Sequence, residues 1–213
     1  MADQPEPRLA VVTVGASAGP WQAAGFAVAG DRCSVGATAI RFAGEGRGIL
    51  EASFSGLAQE RPDGLDIVSC GPSPEPDASE HPLGLLRLDH LVALTPDLER
   101  TVDALEQAGL RLRRLREEPT PAGAPRQAFF RIGEPILEVV QEPADVVAER
   151  GRGRPARLWG MAFAIADMDR AVELLGESLG EPRPAVQKGR TIATVRGAAG
   201  LGVAVALMTD RQA

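Results

Sequence analysis

"LDHLVALTPDLERTVDALEQAGL", residues 88–110, changes its hydrophobic period halfway and holds one of only two histidines in the chain. The stretch "LLRLDHLVAL" (85–94) reads as a strand, and "TPDLERTVDALEQAG" (95–109) reads as a helix. Thr95 is expected to cap the helix, with Pro96 in its first turn, where the missing N–H costs nothing. Asp97 and Glu99 suit the positive end of the helix dipole. Leu98, Val102 and Leu105 fall on one face, and Gly109 is a natural terminator. Three strand-like stretches follow: "LRLRRLRE", "RQAFFRIG" and "PILEVVQ". The unit is β-α-β-β-β, with His90 on its first strand and Glu138 on its last.

Working outward, the same plan recurs. "LWGMAFAIADMDRAVELLGESLG" (158–180) repeats the strand and helix, with Met168, Val172 and Leu175 expected on the apolar helix face. "RTIATVRG" and "LGVAVALM" supply closing strands. A weaker copy precedes both: "RLAVVTVG", a short helix in "AGPWQAAGF" with Gly25 paralleling Gly109, then "GDRCSVG", "ATAIRFAG" and "GILEASFSGL". The stretches "GILEASF" and "PILEVVQ" share I-L-E, which sets Glu51 beside Glu138. Three modules result, spanning 8–70, 86–142 and 157–209. The Pro/Gly-rich stretches 71–84 and 143–157 are expected to connect them. The fold class is α+β, with repeated modules paired into curved, half-open mixed sheets. Such a unit covers one sheet face with its helix and leaves the other for a ligand cup.

A formal charge of -6 lacks the basic excess of a nucleic-acid surface. No apolar run approaches the ~20 residues of a membrane helix. The beginning of the chain has no signal-peptide pattern. Cys33 and Cys70 form no disulfide framework. The expectation is a cytoplasmic protein that binds neither nucleic acid nor membrane. There is no Gly-rich phosphate loop, and two histidines leave little room for nucleophilic triads.

The stretches "LDHLVALTPDLERTVDAL", "RQAFFRIGEPILEVV" and "MAFAIADMDRAVELL" resemble the vicinal oxygen chelate superfamily, the glyoxalase-like proteins. The resemblance is strong over 86–208 and weaker over 8–70. It implies paired modules around a cup, with metal ligands on the first and last strands of each module. Members include isomerases, lyases, dioxygenases and metal-free binding proteins, so the fold does not settle the reaction. On this pattern His90 and Glu138 are candidate ligands for a divalent Zn, Ni, Mn or Fe. Alternation along the last strand puts Ile136, Glu138 and Val140 on one face, and Leu137 and Val139 on the other.

The third module departs from the pattern. Gly160 stands at the His90 position, and no carboxylate occupies Val203 to Val205. If modules one and two share a cup, Glu51, His90 and Glu138 make three ligands. If modules two and three do, only two remain, and a homodimer is one way to add more. Gln127 is a candidate pocket residue. Two readings follow: a small-molecule-binding cup with no metal or an incomplete metal site, or a metal-assisted isomerase, lyase or oxygenase with Glu138 moving a proton. The bland alternatives are a half-buried structural His90, a Glu138 paired with Arg126 or Arg131, a surface Glu51, an exposed Gln127, and a solvated "LRLRRLRE" face. His81 is read as a connector residue without a role.

The charge balance makes one prediction. Titration with random duplex DNA at physiological salt should show no submicromolar binding by fluorescence anisotropy.

Overall fold

The computed structural model describes residues 6–71, 79–119, 123 and 125–210. The N-terminal elements are β1 (Arg8–Val14), α1 (Ala18–Ala23), β2 (Arg32–Val35), β3 (Thr38–Phe42), β4 (Ile49–Ser55) and β5 (Ile67–Ser69). The middle set is β6 (Leu85–Thr95), α2 (Leu98–Gln107), β7 (Arg111–Arg116), β8 (Gln127–Arg131) and β9 (Ile136–Gln141). The last set is β10 (Arg157–Ile165), α4 (Met168–Leu175), β11 (Arg183–Pro184), β12 (Thr191–Val195) and β13 (Ala204–Thr209). Between these two sets, the expected connector 143–157 carries a helix, α3 (Ala144–Arg150). Of the other connector, residues 72–78 lie outside the described residues.

The strands form two mixed sheets, ordered β2-β3-β1-β4-β5 and β11-β12-β13-β10-β6-β9-β8-β7. In the larger sheet, β6 lies parallel to β9 and β10 lies parallel to β13. The two first strands, β6 and β10, meet antiparallel at the centre. Modules two and three therefore share one sheet. The N-terminal set departs from the expected β-α-β-β-β order, with four strands after its helix, and is arranged differently. Its β1 is parallel to β3 and antiparallel to β4. Glu51, on β4, thus has no topological equivalence to Glu138, on β9. The shared I-L-E is a local pattern of inward and outward side chains, which many strands satisfy.

Local chemistry fixes the helices. Asp97, not Thr95, is the N-cap of α2, accepting from the Arg100 N–H at 3.3 Å. Thr95 still lies in β6, and its Oγ1 accepts from the Asp97 N–H at 3.0 Å. Helix α2 ends as expected: Gly109 has φ of 91°, and its N–H and that of Leu110 reach back to the carbonyls of Glu106 and Leu105. Gly25, with φ of 86°, closes α1 in the same way, its N–H bonding the Gln22 carbonyl and that of Phe26 the Trp21 carbonyl. Only glycine adopts this left-handed conformation without cost. In α4 the buried face is Met168, Ala171 and Leu175, whereas Val172 is exposed. The expected i, i+4 step there is an i, i+3 step.

One face of the larger sheet is sealed. Leu88, Leu91, Leu137, Val139, Phe163 and Leu207 are all at most 1% exposed. Helices α2 and α4 pack on this sheet, and Trp21 and Phe26 of the N-terminal set meet Phe163 edge-on. The Trp21 Nε1–H donates to the Leu201 carbonyl at 3.0 Å. His81, expected to have no role, is a buried clasp between segments. Its Nδ1 accepts from the Ala27 N–H at 3.0 Å, and its Nε2 donates to the Ser34 carbonyl at 2.9 Å.

A second clasp joins the N-terminal set to α2. Asp63 accepts from Arg100 Nε at 2.6 Å, Arg100 Nη2 at 3.2 Å and Thr101 Oγ1 at 2.5 Å. Arg100 also donates to the carbonyls of Arg152 and Arg154. Asp63 adopts φ of 48°, a left-handed conformation that aspartate tolerates better than most residues. Asp63→Ala should therefore lower stability by about 2 kcal/mol, and Asp63→Asn by less, as read from urea denaturation.

Candidate ligand cup around His90 and Glu138

The open face of the larger sheet follows from its register. His90 pairs with Ile136 on β9 and Ala162 on β10, and Val92 pairs with Glu138 and Gly160. Across-strand partners point to the same side of a sheet. His90, Val92, Glu138, Gly160 and Ala162 therefore share one face, and Ala204 and Ala206 on β13 continue it. The expected alternation along β9 holds: Leu137 and Val139 are fully buried, and Ile136, Glu138 and Val140 are half-buried on the opposite side.

A bulge shapes the polar end of this face. His90 is opposite Ala162 and Leu88 is opposite Phe163, which leaves Asp89 without a partner. A bulge turns consecutive side chains toward the same side, where a regular strand would send them apart. Asp89 Oδ1 accordingly lies 2.9 Å from His90 Nδ1. Arg190, itself buried, donates from Nη2 to Asp89 Oδ2 at 2.6 Å and from Nε to the Thr209 carbonyl at 2.6 Å. Burial alone would raise the Asp89 pKa. Hydrogen bonds from His90 and Arg190 outweigh it and hold the carboxyl well below the usual range. An ionised carboxylate only accepts, so the ring proton sits on Nδ1. Nε2 then points toward Glu138 Oε2, 3.6 Å away.

Glu138 has the opposite balance. Burial pushes its pKa up, and the nearby His90, the Gln127 hydrogen bond and the Arg116 charge only partly oppose that. Gln127 is buried, and its amide N–H donates to Glu138 Oε1. Its own Oε1 is buried with no hydrogen-bond partner. Neither arginine expected as a structural partner serves Glu138. Arg126 pairs with Glu117 and Glu99, and among the described residues Arg131 forms no ion pair with Glu138.

The third module supplies a second bulge. Leu158 is opposite Ala93 and Gly160 is opposite Val92, which leaves Trp159 unpaired. Trp159 and Gly160 therefore occupy the places of Asp89 and His90 across the pseudo-twofold. The counterpart of Glu138 is the β13 partner of Ala162, which is Ala206. This is one residue beyond the expected range of Val203 to Val205. A Cβ added at Gly160 would lie 2.8 Å from the Ala204 carbonyl oxygen, so even alanine does not fit without backbone movement.

Glu51 is not part of this cluster. It lies in the smaller sheet, where its carboxylate accepts from Ser53 Oγ at 3.1 Å. It also sits near Cys70, whose thiol is pushed up by burial and then by the Glu51 charge. The expected set of Glu51, His90 and Glu138 is not brought together. Among the described residues, no group of three or more His, Cys, Asp or Glu side chains is placed to hold a metal. His90 and Glu138 alone are one donor short of the usual three protein ligands of an open divalent site. The residues present do not fit a resident metal. The half-buried His90 expected as a bland alternative is hydrogen-bonded to Asp89, its sequence neighbour, whereas sequence reasoning missed Arg190 and Trp159.

No protein-family model and no curated protein matches the chain. Among solved structures, the chain is similar to methylmalonyl-CoA epimerase from Mycobacterium tuberculosis, at 17% identity and a TM-score of 0.48, over 61% of this chain and 91% of that one. A hypothetical protein from Bacillus halodurans C-125 matches at 19% identity and a TM-score of 0.47, over 60% of this chain and 96% of that one. Scores this low carry no argument. A xylose isomerase-like TIM barrel/4-hydroxyphenylpyruvate dioxygenase fusion protein matches over 100% of this chain and 50% of its own length, at a TM-score of 0.62 and 13% identity. The fold is of the vicinal oxygen chelate type. At such identity the likeness concerns fold alone. No helix is long and apolar enough to cross a membrane among the described residues.

The raised pKa of Glu138 has a signed consequence. Its folded value lies above the ordinary 4.5, so the folded state binds more protons and loses stability as pH rises past that point. Glu138→Gln removes this penalty, and its amide N–H can donate to His90 Nε2. The melting temperature should rise by about 2–4 °C at pH 8 and by less at pH 4, measured by calorimetry.

Proposed function

We propose that the chain is a small-molecule-binding protein whose ligand sits in the cup of the larger sheet, without a resident divalent metal. The observation that carries this reading is the asymmetry of the donor set. One half of the cup holds His90, Glu138 and Gln127, and the other half replaces the first two by Gly160 and Ala206. A concave face with an apolar side and a few convergent polar groups is the usual makeup of a ligand site. The polar groups are oriented in advance: Arg190 fixes Asp89, Asp89 fixes the His90 ring, and Gln127 fixes Glu138. Orientation before binding lowers the entropic cost of association.

One observation favours the enzymatic alternative. An imidazole nitrogen facing a carboxyl of raised pKa is an arrangement that moves protons. An isomerase or lyase step at Glu138 would use it. A metal-assisted version would need donors from the ligand or from a second copy of the chain.

The test separates these. Purified protein should carry less than one equivalent of Zn, Ni, Mn or Fe by elemental analysis. A thermal-shift screen of small molecules should find a ligand whose binding survives chelation and weakens about tenfold in His90→Ala, or roughly 1.4 kcal/mol. One tightly held metal per chain, with ligand binding lost on chelation, would overturn the reading.

A further inference from the structure

The β7 edge of the larger sheet is built unlike the other three sheet edges. Strand β7 has six residues, four of them arginine, and no proline. The opposite edge, β11, has two residues and ends in Pro184, which has no N–H to offer. The edges of the smaller sheet, β2 and β5, have four and three residues. Half of the N–H and C=O groups of an edge strand point away from its neighbour. Among the described residues, the backbone of 111–116 forms no hydrogen bond beyond the ladder with β8. The edge is thus a free row of donors and acceptors about 20 Å long.

Its side chains are sorted by face. Arg111 and Arg114 are opposite Arg131 and Phe129, on the side of Glu138. Leu112 and Leu115 are opposite Phe130 and Ala128, on the sealed side, and Leu115 is 42% exposed where the sheet ends. Arg113 is the unpaired residue of a bulge. The charges are largely uncompensated, in a chain whose formal charge is -6. Among the described residues, Arg113 and Arg114 form no ion pair, and Arg111 meets only Glu6, at 3.9 Å. Arg111 and Arg131 stand directly opposite each other, and like charges so placed cost stability. Repeated charge on an edge repels a second copy of the same strand. It attracts a strand of opposite charge.

We infer that the free edge of β7 docks an extended acidic segment of a partner protein, which adds to the sheet as a further strand. The segment's backbone completes the row of hydrogen bonds. Its carboxylates lie beside Arg111, Arg113 and Arg114, and an alternate apolar side chain covers Leu115. Strand addition takes affinity from the main chain and selectivity from alternate side chains. A nucleic acid would answer the charge but offers no backbone ladder. The edge is two strands away from β9 and does not involve the cup.

The probe is a fluorescein-labelled EVEVEVE peptide, read by fluorescence anisotropy. Saturable binding is expected, weakening at least about tenfold between roughly 50 and 500 mM NaCl. Two methylated forms separate backbone pairing from charge. Methylating every valine N–H blocks one edge of the peptide, and methylating every glutamate N–H blocks the other. One form should lose about tenfold or more, and the other should stay within about threefold of the parent. Arg113→Gln/Arg114→Gln should weaken the peptide by about tenfold with an unchanged melting temperature, whereas Arg183→Gln on β11 should leave binding unchanged. Equal affinity of the parent and both methylated forms overturns the inference, because charge alone would then hold the peptide. So does a single-stranded oligothymidylate that binds this edge as tightly as the peptide. Self-association by sedimentation that the double variant abolishes would make the edge a contact between copies and overturns it too, as does the absence of saturable peptide binding.

Discussion

The unpaired Asp89 in β6 is the constraint on which the polar end of the cup depends. In an unbroken strand, Asp89 and His90 would face opposite sides, and Asp89 would enter the sealed apolar face beside Leu91 in the place that Leu88 takes. A carboxylate there would be untenable without a partner. The bulge moves it to the edge of the open side, where Arg190 reaches it from just before β12. The rest follows in sequence. An ionised Asp89 holds the Nδ1–H, the ring so held turns Nε2 toward Glu138, and Gln127 holds Glu138 from the next strand. The bulge in β10 obeys the same geometry with different residues, Trp159 and Gly160, and a third register shift lies at Leu86, nearer the start of β6.

That cup can stay open because the other face carries the stability. The sealed side joins both sheets, and its aromatic cluster of Trp21, Phe26, Phe42 and Phe163 crosses from one to the other. Polar clasps add direction to this apolar contact. His81 holds two N-terminal backbone segments, and Asp63 gathers Arg100 and Thr101 of α2. The N-terminal set, which contributes nothing recognisable to the cup, backs the sheet that forms it.

Much of the fold was legible because strands and helices announce themselves by period. Leu98 and Leu105, the Gly109 terminator and the alternation around Glu138 all appear where the pattern puts them. The failures have physical causes. Thr95 and Asp97 both suit a helix start, and the choice depends on where β6 ends. Val172 and Ala171 both suit an apolar face, and the sheet beneath selects the smaller residue. The equivalence of Glu51 with Glu138 failed because three matching residues describe alternation within a strand and say nothing about which strand lies beside it. Arg190 and Trp159 could not be read from the chain, since their roles come from bulges and from contacts distant in sequence.

The cluster is costly in a way that bears on its purpose. Glu138 is desolvated by more than the Gln127 hydrogen bond and the nearby His90 and Arg116 offset, and Gln127 keeps a buried acceptor unbonded. Each such group costs about 1–3 kcal/mol relative to a satisfied one. Apolar residues at both positions would pack against Val92 and Val140 with no such penalty. The Asp89–Arg190 pair, by contrast, is satisfied and holds its place. The cost is not confined to this cluster, since among the described residues Thr13 Oγ1 on β1 is also buried without a hydrogen-bond partner. What sets the cluster apart is that its desolvated carboxyl faces an imidazole 3.6 Å away across two parallel strands, β6 and β9.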